Sequence, residues 1–71
     1  MTYKFSAVIE HEDPWYVGFC PELGVASQGR TLDEALANLR EAVQLYVETA
    51  DPSELHLPTE PPLLTTLDIA V

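Results

Sequence analysis

Positive charge is what this sequence most lacks. Of its 71 residues only three are Lys or Arg, against 12 Asp or Glu, for a formal net charge of -9. Proteins that grip nucleic acid need Lys and Arg to displace counterions from phosphates, so naked DNA or RNA is a poor candidate ligand. A basic protein is a better one, because opposite fields speed encounter. Cysteine is nearly absent too. Cys20 stands alone, which excludes an internal disulfide and fits a reducing, cytoplasmic address. With His11 and His56 the only imidazoles, no Cys/His cluster offers four metal ligands. Lys4 and Ser6 interrupt any leader-like apolar run, and no stretch approaches the ~20 apolar residues of a membrane span. The three glycines form no phosphate loop, and no Walker or Ser/His/Asp pattern occurs. A single domain over 1–71 is the reading. A chain this short buries only about 60% of its unfolded surface. With neither disulfide nor metal available, self-association is the remaining staple, and a homodimer is expected.

What is present is clear patterning. Tyr3, Phe5, Ala7 and Ile9 alternate with Lys4, Ser6, Val8 and Glu10, which predicts a half-buried strand over residues 3–10. The polar run from His11 to Pro14 reads as a hairpin turn. Residues 15–19 are aromatic and β-branched, a second strand. Pro21 to Gly24 is the next turn, and residues 25–28 form a short third strand closed by Gly29. Thr31, Asp33 and Glu34 match a capping box with acids at the positive end of the helix dipole. Leu32, Ala35, Leu36, Leu39, Val43, Tyr46, Val47 and Ala50 then recur at helical steps, predicting a helix over residues 32–50 with one apolar stripe. Leu45 falls about 130° from that stripe, among Asn38, Glu41 and Thr49. Residues 52–62 hold four prolines and read as an extended connector. Residues 65–71 alternate again, with Leu67, Ile69 and Val71 on one face, and predict a fourth strand. The fold class is α+β, ordered β-β-β-α-β: an antiparallel sheet with the helix packed on one face. The last strand either returns beside the first or adds to a partner's sheet.

Reactive chemistry is poorly supplied. Cys20 lies between Phe19 and Pro21 with Glu22 beyond, and a nearby acid raises a thiol's pKa where a nucleophile needs it lowered. Cys20 therefore reads as the end of a strand, Pro21 as the stop, and Gly24 as a backbone angle that a side chain resists. His11, Glu12 and Asp13 crowd one turn without a third well-spaced ligand and read as solvated charge. Asp33, Glu34, Glu41 and Glu48 fall on the exposed side of the helix. No catalytic, cofactor-binding or metal-binding residue is assigned, and the chain is read as no enzyme. For contact with a basic partner the candidates are Glu34, Glu41 and Glu48, with Trp15 and Leu45 as apolar anchors.

The run YVGFCPELGVASQG from Tyr16, followed by TLDEALANLREAVQLYVE from Thr31, resembles the HicB-like antitoxin family over about two thirds of the chain. The resemblance implies a partial ribonuclease-H-like fold, in agreement with the element order. It implies that the chain binds and occludes a small basic ribonuclease toxin, a HicA-type mRNA interferase, and that it forms dimers or higher oligomers. Many members carry a further DNA-binding domain; the sequence here reads as a short form without one, and direct DNA binding is not expected of it. A stand-alone dimeric interaction module of the same fold, with no toxin partner, is the alternative reading. The ribonuclease-H likeness also raises a metal-dependent nuclease, but Glu10 and Asp68 are only two acids where several must converge.

Overall fold

Three strands rich in β-branched, aromatic and small residues come first: β1, Val8–Glu12; β2, Trp15–Cys20; and β3, Val25–Gly29. The computed structural model describes residues 2–71. It arranges these strands as one antiparallel sheet in the order β1-β2-β3. Glu12 faces Trp15 across a two-residue turn of Asp13 and Pro14, whose peptide bond is cis. His11 and Glu12 thus belong to the ladder and not, as expected, to the turn. At the other end, Val8 pairs with Phe19. Pro21, just beyond β2, has no amide to donate. The ladder is therefore short, and residues 3–7 precede the first strand where the alternation placed them inside it.

Gly24 turns the chain between β2 and β3 with φ at 68°, the left-handed region where a Cβ is resisted. The amide of Gly24 donates to the Cys20 carbonyl at 2.9 Å and closes that turn. Register then fixes the faces. Ile9, Gly18 and Ser27 stand side by side, as do Tyr16 and Gly29, and this side carries the helix α1, Leu32–Thr49. The Thr31 hydroxyl accepts from the Glu34 amide at 3.1 Å, as the capping pattern predicts. Ala35 and Leu39 descend onto the sheet and are buried. The small residues below allow this approach: a Cβ on Gly18 would stand 3.2 Å from Leu39 Cδ2, and one on Gly29 only 2.5 Å from the Ala35 amide nitrogen.

The helix rests chiefly on β3, less on β2 and scarcely on β1. Its stripe is therefore covered along one flank only, and Leu32, Leu36 and Tyr46 remain exposed. Cys20, Ala35 and Leu39 are the buried apolar residues among those described.

The 3₁₀ turn Pro52–Glu54 comes after the helix, and the connector returns far enough for the Lys4 amide to donate to the Pro58 carbonyl at 2.7 Å. The expected fourth strand is not formed in the chain. Residues 65–71 pair with nothing described here and lie exposed. Pro58, Pro61 and Pro62 explain this, because three residues without an amide proton interrupt any ladder that could start at Lys4.

Candidate protein-interaction surface

On a straight helix, positions seven apart fall about 20° from one another after two turns. Glu34, Glu41 and Glu48 have that spacing, so they form one row along about 21 Å of helix. All three are exposed. Leu45 lies within the row, one turn from Glu41 and one from Glu48, and is 61% exposed. Glu41, Leu45 and Glu48 line a shallow depression together with Ala42 and Gln44. The Gln44 amide reaches the Glu48 carboxylate at 3.4 Å. The surface thus offers an apolar spot framed by carboxylates.

Trp15 is not part of this surface. Register places it on the side of β2 shared with Val17 and Phe19, opposite Gly18 and Cys20, and so away from the helix. There the Arg30 guanidinium lies 4.8 Å from its ring centroid, a cation–π contact that occupies the indole from within the chain. The five candidate residues therefore divide into one helical row of four and one aromatic on the far side of the sheet. His11, on the helix side, stacks on Tyr16 with ring centroids 4.3 Å apart.

Around Cys20 the sequence reading is half complete. The thiol is wholly buried and donates to Glu22 Oε1 at 3.5 Å. Burial pushes its pKa up, and the Glu22 carboxylate adds to that, while the Leu23 amide works against it. Such a thiol stays protonated and unreactive at neutral pH. What the alternation missed is Ser6, placed on the outer face with Lys4 but in fact buried. Its amide and hydroxyl donate to the two carboxylate oxygens of Glu22 at 2.8 and 2.5 Å. Glu22 thereby ties the segment before β1 to the β2–β3 turn. Nothing in a local pattern reveals a contact between residues 16 apart. Among the described residues, no group of three or more His, Cys, Asp or Glu side chains is gathered closely enough to hold a metal ion. No helix there is long and apolar enough to cross a membrane.

The Glu22 tie has a pH signature. Burial pushes its carboxyl up, but the bonds from Ser6 outweigh burial and hold it below the ordinary value of 4.5. A carboxyl whose folded pKa is depressed stabilises the fold above its unfolded pKa, and that stabilisation is lost as pH falls through the folded value. The expected result is that wild-type stability, measured by urea unfolding from pH 7 to pH 3, declines more steeply below about pH 4.5 than that of Glu22→Gln. Glu22→Ala, which strands the buried Ser6 donors, costs about 1–3 kcal/mol at pH 7. Parallel acid limbs for wild type and Glu22→Gln would remove Glu22 from the account.

Residues 5–69 match the model of a family described as a family of unknown function, DUF7387. The chain is similar to a UPF0150 protein of Synechocystis sp., 38% identical over 71 residues covering 97% of this chain and 90% of the relative. It is similar also to a UPF0150 protein of Helicobacter pylori, 43% identical over 51 residues, 70% of this chain and 71% of the relative. A third relative, a UPF0150 protein of Archaeoglobus fulgidus, is 45% identical over 47 residues, 63% of this chain and 68% of the relative. No solved structure matches.

Proposed function

The chain belongs to the family DUF7387, and from the resemblance of residues 16–48 and the acidic face of the helix we propose that it is a HicB-like antitoxin, a cytoplasmic inhibitor that binds a small basic ribonuclease of the HicA type and covers its catalytic surface. The observation that carries this reading is the helical row of Glu34, Glu41 and Glu48 around an exposed Leu45, on a chain of net charge -9. A surface built to hold RNA is positive, and an acidic row competes for it directly. Occlusion needs no reactive group. The same charge opposes direct binding to DNA.

The alternative, a stand-alone dimeric interaction module, draws its support from the uncovered flank of the helix stripe. Calorimetric titration with a purified HicA-type toxin tests the antitoxin reading. It calls for saturable binding at micromolar or tighter affinity that weakens steeply with added salt. Absence of heat and of complex at about 100 µM of each protein, well above a micromolar Kd, would reject it and leave the alternative.

A further inference from the structure

The two outer strands of the sheet are built differently. β1 carries Glu10 and Glu12, both exposed, and charge of that kind keeps a strand edge from pairing. β3 reads Val25-Ala26-Ser27-Gln28-Gly29 and has neither charge nor proline. It pairs with β2 along its whole length without a break. Among the described residues, no strand pairs with its other side.

In an antiparallel ladder each residue turns its amide and carbonyl together, toward the neighbouring strand or away from it. The Gln28 carbonyl accepts from the Asn38 side-chain amide at 2.8 Å, which places it on the outer edge. Ala26, two residues earlier, is oriented alike, and both residues are exposed. The amide and carbonyl of Ala26 and the amide of Gln28 thus stand open along the edge. The same bond fixes which side of the helix overhangs it. Glu34 and Glu41 lie one turn to either side of Asn38, and Leu45 lies two turns on. The acidic row therefore runs above the open edge of β3.

Unpaired backbone below and carboxylates above form one continuous surface. A second copy of the chain does not suit it. Two β3 strands paired antiparallel would set the two acidic rows against each other, like charge facing like charge. A strand that brings Lys or Arg meets the row with opposite charge. We infer that β3 takes up an extended strand of a basic protein. The incoming backbone continues the sheet at Ala26 and Gln28, and its side chains alternate between the two faces. Those on the helix side are the cations, and they meet Glu34 and Glu41. Main-chain bonds supply the affinity in such an addition, and the alternate side chains supply the specificity. The partner is the basic ribonuclease of the proposed function, and on that reading strand addition is the manner in which it is held.

Amide hydrogen exchange on the full chain, free and saturated with a HicA-type ribonuclease, tests the addition. In the free protein the Ala26 and Gln28 amides exchange almost as fast as in free peptide. In the complex both slow by about tenfold or more, while the amides of β1 keep their rates. Ala26→Pro removes one donor at a place where an outer strand tolerates proline. It raises the Kd for the ribonuclease by about tenfold and leaves the helical circular dichroism signal in place. Should that variant fail to fold, exchange in the wild-type complex still decides. Binding that leaves the Ala26 and Gln28 amides unprotected, or a folded Ala26→Pro protein that binds like wild type, would overturn strand addition and leave the inhibitor reading standing. No binding at all would overturn both.

Discussion

Glu41→Lys/Glu48→Lys/Leu45→Ala is expected to weaken binding to a HicA-type toxin by about 100-fold or more while leaving the fold intact. The reasoning starts from position. All three residues face solvent on one stretch of helix, and both Lys and Ala are good helix formers, so the helix tolerates them. The two reversals take the net charge from -9 to -5, two units for each substitution. They also remove two of the three acids of the row and put repulsion in their place. Loss of favourable steering lowers association rates by about 10-fold or more at low salt. Truncating a central leucine anchor accelerates dissociation. Surface plasmon resonance resolves the two effects, since charge acts mainly on association and packing on dissociation. Trp15→Ala is the contrast. On the far face and engaged by Arg30, Trp15 lies outside the row, and its loss leaves toxin affinity within about threefold, registering in stability instead. Equal affinity for the triple variant and the wild type would place the interface elsewhere.

The largest effect on stability is expected at Gly29. A Cβ there meets the Ala35 amide nitrogen at 2.5 Å and the Glu34 carbonyl carbon at 2.8 Å. Both are backbone atoms and cannot swing aside. Gly29→Ala must therefore lift the first turn of α1 off β3, and the helix depends on that strand for most of its support. Buried Ala35 sits at the point of separation. A chain of this size has only about 4–10 kcal/mol of stability in all. Overpacking against rigid backbone costs about 3 kcal/mol, which lowers Tm by roughly 10–20 °C. Gly24→Ala, where nothing lies within 4 Å but φ is +68°, costs only about 1 kcal/mol from backbone conformation. Thermal unfolding of the two variants side by side checks the order, and a Gly29→Ala protein as stable as wild type would mean that helix and strand are less closely packed.

How much of this was legible in advance depends on the range of the interaction. The helix declares itself through contacts three and four residues apart, so its cap at Thr31, its stripe and the outlying Leu45 are readable from the chain alone. Its observed span, Leu32–Thr49, falls one residue short of the expected end. Gly24 and the strand end at Cys20 obey equally local rules of backbone and proline chemistry. The first strand is misjudged because alternation reports a face, whereas a strand exists only where a partner pairs. β2 ends at Cys20 before Pro21, and β1 can reach no further back than its partner allows. Ser6 misleads for the same reason. As a small polar residue it reads as solvent-facing, and only the return of the chain at Glu22 gives it partners that offset its burial. Residues 65–71 carry the pattern of a strand, but alternation reports a face and not whether a neighbouring strand is there to pair with it. Among the candidate contact residues, helical spacing groups Glu34, Glu41, Leu45 and Glu48 correctly. Trp15 depends on sheet register, which a hydrophobic pattern leaves open by one residue, and one residue is the difference between the two faces.

Inhibition itself is the most direct test of a contact-only function. RNA cleavage by a HicA-type toxin is monitored while the purified wild-type protein is added from substoichiometric amounts to excess. The account predicts a fall in cleavage that tracks occupancy and is complete near stoichiometric saturation, without added metal or turnover by the acidic protein. Cleavage that continues undiminished at stoichiometric excess would contradict it.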